Sequence, residues 1–198
     1  MQDFRPIDLL NATLERGGIV LVRADLNVPI DDAGNLRDAT RLTRLLPTLE
    51  TLTSGGMRVG ILSHFGRPKG ITDASLSLAP VATALGQLMN AEITFAGDCI
   101  GQTATTALTG LPAGGICVLE NTRFHAGEEA DDTDFAAALA APAHAYVNDA
   151  FSAAHRAHAS THALAKLLPA YCGLAMQAEL DALNSALGNP ARPLVAVV

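Results

Sequence analysis

Five short apolar runs recur along this chain, and their alternation with longer amphipathic stretches constrains the fold more than any other feature. The runs are GIVLV at 18–22, VGIL at 59–62, ITF at 93–95, ICVL at 116–119 and AYV at 145–147. They are too short for helices and rich in β-branched residues, so they read as buried strands. Between them lie stretches with helical apolar spacing, at 40–52, 77–89, 103–108 and 131–139. Leu42, Leu45, Leu46, Leu49 and Leu52 set the pattern in the first, which Thr40 is placed to cap and Gly55-Gly56 to end. Strands separated by helices predict an α/β fold: three α-β-α layers around a mostly parallel, Rossmann-like open sheet.

Further helices are expected at 163–168 and 174–187, with a break at Pro169-Ala170 between them. An Asp-Ala-Gly-Asn turn is expected at 32–35. A sixth apolar run, at 192–198, would be a strand with nothing after it. The chain therefore divides into a domain over 1–188 and, over 189–198, a linker with the first strand of another domain.

Composition closes off several function classes. The 198 residues carry a formal charge of −7, against general nucleic-acid binding. No stretch is long and apolar enough to span a bilayer, and the N-terminus does not have the form of a signal peptide. Cys99, Cys117 and Cys172 fit no metal-ligand spacing and no disulfide framework, and Cys117 reads as a small core residue. A cytoplasmic protein is expected.

In an acidic chain the position of each arginine matters. Every strand except the third exits into a charged or polar motif: RADLNVP at 23–29, SHFGRPKG at 63–70, ENTRFHAGEE at 120–129 and NDAFSAAHRAHAS at 148–160. The carboxyl edge of an open parallel sheet is where ligands bind. Arg67, Arg123 and Arg156 lie in these exits, and Arg41 lies where the first loop enters a helix. Arginine is permanently charged and pairs in bidentate fashion with phosphate or carboxylate. The set reads either as ordinary surface ion pairs or as the wall of a cleft for a small anion.

The remaining polar residues also carry two readings. His64 is a packing residue or a ligand contact. Asp25 and Asn27 shape a turn, or accept from a ligand hydroxyl and orient Arg41. Asp149 has the same two roles open. Glu120 and Asn121 would support the loop of Arg123, while Glu128 and Glu129 would be helix-start acids. His155 and His158, three apart, could share a helix face and, with Asp149, hold a metal for hydrolysis, but no HExxH accompanies them. Neither GxxxxGK[ST] nor GxGxxG occurs, so no nucleotide-phosphate loop is expected here.

Taken together and in order, the four motifs resemble phosphoglycerate kinase, and the likeness covers the N-terminal, substrate-binding half of that family. The resemblance implies reversible phosphoryl transfer from 1,3-bisphosphoglycerate to ADP, giving 3-phosphoglycerate and ATP. It implies that a C-terminal domain beyond this stretch holds Mg-ATP or Mg-ADP, that hinge closure joins the two, and that the enzyme is a monomer. Carried onto this chain, Asp25 and Asn27 would contact the glycerate end. Arg41 would be catalytic, at the reacting carboxylate or transferring group. His64, Arg67, Arg123 and Arg156 would hold the substrate, the last three arginines favouring the 3-phosphate, and His155 would line the basic patch. No metal ligand is assigned, and the fragment alone would be inactive. A stand-alone anion-binding module is the alternative.

The chain departs from the family pattern at Ser152, where glycine is usual. It departs again at residues 160–163 (STHA in place of STVG) and at YCGLAMQAE over 171–179. None of these removes an implied ligand.

Overall fold

The computed structural model describes residues 4–29, 31 and 36–188. Six strands form one sheet: β1 (Ile19–Arg23), β2 (Arg58–Leu62), β3 (Ile93–Ala96), β4 (Ile116–Leu119), β5 (Ala145–Asn148) and β6 (Ala170–Cys172). They run in the order β3-β4-β2-β1-β5-β6, and every pairing is parallel. The expected open parallel sheet is therefore present. β6 has no counterpart in the sequence reading, because three residues beside Pro169 carry too little pattern. It forms by pairing Tyr146, Val147 and Asn148 with Ala170, Tyr171 and Cys172.

Helices cover both faces. α1 (Ile7–Thr13), α2 (Thr40–Ser54), α3 (Ala79–Met89) and α8 (Leu174–Leu187) pack on one side. α4 (Gly101–Gly110), α6 (Thr133–Ala140) and α7 (Leu164–Leu167) pack on the other, with the single turn α5 (Ala126–Glu129) leading into α6. Strand period explains the two cores. Val20 and Val22 of β1 join Leu42, Leu49 and Leu85, while Ile19 and Leu21 join Leu108, Leu139 and Leu164. All five residues of β1 are buried, as a central parallel strand requires. At Gly60 in β2 a Cβ would come 2.7 Å from Leu108 and 2.9 Å from Leu21, so glycine lets α4 approach the sheet.

Local details differ from the sequence reading. Thr40 opens α2 but does not cap it: the Asp38 carboxylate accepts the Thr40 amide at 2.8 Å and hydroxyl at 2.6 Å. α6 starts later than expected because Asp132 caps it, accepting from the Phe135 amide at 2.7 Å. The helix expected at 163–168 begins as a π turn over Ala159–Ala163 and continues as α7. α1 is an addition to the expected helices. The turn at 32–35 and the linker and strand at 189–198 lie outside the described residues. Among those described, no helix is long and apolar enough to cross a membrane.

Candidate functional site

β1 and β5 are neighbours whose connections lead to opposite sides, β1 onward to β2 and β5 onward to β6. Such a switch point opens a crevice at the carboxyl edge. A cleft of about 220 Å³ lies there, lined by Asp25, Arg41, Arg44, Asp149, Ser152 and Glu179 among others. The exits of β2 and β4 lie beside it.

Asp25 is the hinge of this edge. Its Oδ2 accepts from Arg41 Nη1 at 2.6 Å and from Ser152 Oγ at 2.5 Å, and its Oδ1 accepts the Asn27 amide at 3.2 Å. Burial pushes the carboxyl up, but the Ser152 hydroxyl, the Arg41 charge and the Asn27 amide outweigh it and hold Asp25 below its ordinary 3.8. Arg41 remains half exposed at this pair. Asn27 accepts the Gly66 amide at 3.1 Å, tying the β1 exit to the β2 exit. Gly66 has φ +60°, a conformation that favours glycine.

A second group sits deeper. His64 is buried, and its pKa is pushed down to about 3 by burial and by the charges of Arg23, Arg123 and Arg156, which Asp25 only partly offsets. Arg123 is 5% exposed, and its Nη1 donates to the Gly66 carbonyl at 2.8 Å. Its Nε lies 3.1 Å from Glu129 Oε1 in an ion pair that lacks hydrogen-bond geometry. The Asn121 side chain organises this loop: it accepts the Phe65 and Arg123 amides and donates to the Phe65 and Leu76 carbonyls. Glu120 accepts from Ser77 Oγ, the Leu78 amide and the Asn121 amide, anchoring the start of α3.

Arg67 is exposed and forms no ion pair with another described residue; neither does Arg156, half-buried in the turn after β5. Arg156 is held by its backbone, whose carbonyl accepts from Thr161 Oγ1 at 2.8 Å. The arginines thus divide. Arg123 and Arg156 flank His64, Arg67 follows it on the same loop, and Arg41 faces the β1–β5 cleft across Asp25.

The histidine pair does not share a helix face. His155 is exposed in a turn, whereas His158 precedes the π turn with Nδ1 4.0 Å from Glu128 Oε1. Among the described residues the group close enough to hold a metal ion is Asp98, Cys99 and His125, which includes neither histidine nor Asp149. Its Asp98 Oδ1 already accepts from His125 Nε2 at 2.8 Å and from the Cys99 amide at 2.7 Å.

Two residues of the site escape sequence reading. Arg23, which in the sequence merely closes a strand, is 1% exposed. Glu128 does stand in the first turn of α5, but it is fully buried and accepts from the amide and hydroxyl of Ser160 at 3.0 and 2.6 Å. An arginine closing an apolar run is the available signal for the first; nothing local distinguishes Glu128 from Glu129.

Fold and site define an open parallel α/β protein with arginines gathered at the carboxyl edge of its sheet. The family model described as phosphoglycerate kinase matches residues 11–198, and the chain belongs to that family. It is 52% identical to the phosphoglycerate kinase of Methylorubrum extorquens (strain PA1) and 55% to that of Azorhizobium caulinodans. Each alignment covers all of this chain and 49% of the relative. The structure of phosphoglycerate kinase from Coxiella burnetii superposes with a TM-score of 0.84 at 35% identity, and that from Pyrococcus horikoshii OT3 with 0.84 at 29%. Each covers 96% of this chain and 47% of the other. The chain spans about half the length of the curated relatives it matches.

Proposed function

We propose that this chain is the phosphoglycerate-binding half of a phosphoglycerate kinase. It would bind 3-phosphoglycerate or 1,3-bisphosphoglycerate for reversible phosphoryl transfer with ADP and ATP. The observation that carries this reading is the position of Arg123 and Arg156 around a buried His64 at the carboxyl edge, with Arg67 three residues further along the same loop. Arg67 and Arg156, which make no ion pair with another described residue, suit a small anion bearing both phosphate and carboxylate.

Asp25 and Asn27 would contact the glycerate end. Arg67, Arg123 and Arg156 would hold the 3-phosphate, and exposed His155 would add to the patch. Arg41, half exposed and held by Asp25, would stabilise charge at the reacting carboxylate. Phosphoryl transfer needs positioning and electrostatic stabilisation more than covalent help. Mg-ADP or Mg-ATP, which supplies or accepts the phosphoryl group, would be held by a second domain in the same polypeptide, as membership of the family implies. Closure of that domain over this one would exclude water from the acyl phosphate. The enzyme would act as a cytoplasmic monomer, and this half alone would turn over little substrate.

Titration with 3-phosphoglycerate tests the reading. Binding by the unmodified chain should weaken by about tenfold or more in Arg156→Ala, as expected for one lost charge-assisted contact. Equal affinity in both proteins would overturn the assignment of Arg156.

A further inference from the structure

Arg23 is the last residue of β1 and among the largest fully buried side chains of the protein. A buried guanidinium must be compensated and hydrogen-bonded. Its Nε donates to Ser160 Oγ at 2.8 Å, its Nη1 to the Ala24 carbonyl, and its Nη2 faces His64 Nδ1 at 3.0 Å. Ser160 passes the contact on, donating its hydroxyl to Glu128 Oε1 at 2.6 Å and its amide to Oε2 at 3.0 Å. Tyr146 fixes the same turn, its hydroxyl donating to the Ser160 carbonyl at 2.9 Å. A positive and a negative group, both buried, are thus bridged by one hydroxyl, and the free fork of the positive one points at His64.

Guanidinium has donors and no acceptor. At 3.0 Å from Nη2, His64 Nδ1 must therefore be the acceptor, and the ring proton must sit on Nε2. Nε2 makes no hydrogen bond to another described residue, and His64 as a whole is 6% exposed. The charges around the ring are Arg23 from β1, Asp25 from its exit, Arg123 from the β4 exit and Arg156 from the β5 exit.

We infer that Arg23 is a positioning residue: held by Ser160 and Glu128, it locks His64 in the neutral tautomer with Nε2–H and makes it a fixed hydrogen-bond donor to an anion bound at the carboxyl edge. His64 then contributes direction and no charge. The charge comes from the arginines, so the donor persists unchanged through the range where an ordinary histidine titrates. A free imidazole would sample both tautomers and the imidazolium. The depressed pKa agrees with this, because a proton on Nδ1 would face the guanidinium directly. The ligand half of the inference rests on the function proposed above; the tautomer half does not.

The test is long-range proton–nitrogen correlation on the ¹⁵N-histidine-labelled chain, from about pH 5 to 8, the span in which histidine ordinarily changes charge. The expected spectrum has His64 with bare Nδ1 and protonated Nε2 throughout. An Nδ1–H tautomer, or titration near the ordinary 6.5, overturns the inference before any ligand is added. Addition of 3-phosphoglycerate should then shift Nε2–H. An unchanged spectrum at a concentration where titration shows 3-phosphoglycerate bound overturns the donor role alone, whereas no binding in the titration overturns the proposed function; the tautomer assignment stands in either case. Arg23→Lys keeps the charge opposite Glu128 but replaces the fork with a single ammonium. His64 should then show mixed tautomers and a raised titration midpoint, with 3-phosphoglycerate affinity about tenfold weaker. An unchanged His64 tautomer in that variant overturns the tether. The unmodified chain decides the tautomer even if the variant fails to fold.

Discussion

Asp149, on the exit of β5, accepts the amide of Met176 in the first turn of α8 at 2.9 Å. The loop that carries His155 and Arg156 is thereby fastened to the N-terminus of the helix after β6. Burial raises the Asp149 carboxyl above its ordinary 3.8, despite help from Thr48 and the α8 amides, and its Oδ2 is left without a partner. The cap is thus held at some electrostatic cost.

Gly173 precedes α8 with an ordinary φ of −74°, so its backbone does not require glycine. Space does: a Cβ there would fall inside the Asp149 carboxylate. Gly173→Ala should push Asp149 off the helix. The expected loss is ~1–2 kcal/mol of unfolding free energy, comparable to losing a helix cap, read from urea denaturation. Asp149→Ala should lose a similar amount, and the double variant should lose less than the sum.

Glu128→Ala should be the more damaging change. It leaves Arg23 charged and unbalanced in the core, a situation that costs ~3–5 kcal/mol. Glu129→Ala is the comparison: Glu129 is itself exposed at its ion pair with Arg123, so its removal should cost less than removal of the fully buried Glu128. Thermal denaturation of the two variants side by side separates them. Equal losses would show that the Ser160 bridge contributes nothing.

Ser152, on the exit of β5, donates its hydroxyl to Asp25. Ser152→Ala should raise the Asp25 pKa toward 3.8. A carboxyl with a depressed folded pKa adds stability above its unfolded value and loses it as pH falls through the folded one. Less depression means a smaller contribution above 3.8, lost at higher pH on acidification. Carbon-detected NMR titration of the Asp25 carboxyl reads the shift directly. An unmoved midpoint would mean that Arg41 and the Asn27 amide set it without Ser152.

His64 makes acid destabilising over a defined window. Unfolded, it takes a proton near 6.5; folded, not until about 3. Between those values the unfolded state binds the extra proton, so stability rises with pH, is complete above 6.5 and erodes as pH falls toward 3. His64→Gln cannot take that proton. Urea unfolding at about pH 7 and about pH 4.5 should show a smaller acid-induced loss in the variant than in the unmodified chain, both values lying within or just above the histidine window.

The local apolar pattern makes five of the six strands and most of the helices legible, because strand and helix periodicities survive in a single sequence. GIVLV and ICVL could be little else than buried parallel strands, and their charged exits then lie at one edge by topology. Leu42, Leu45, Leu49 and Leu52 give α2 its buried face in the same way. β6 is not legible, since a three-residue strand exists only through its pairing with β5.

The candidate site divides along the same line. The sequence by itself determined which residue types stand at the strand exits, and so that Asp25, Asn27, His64, Arg67, Arg123 and Arg156 belong to one edge. Only the tertiary structure decided what each meets. It set Arg41 against Asp25 and Arg123 against the Gly66 carbonyl, placed His155 and His158 on no common helix face, and sent Glu128, an apparent helix-start acid, into the core. Arg23 and Ser160 are 137 positions apart and Glu128 and Ser160 are 32 apart. No local periodicity encodes such contacts. They form because a buried charge, wherever the chain brings it, has to find its opposite and its hydrogen bonds.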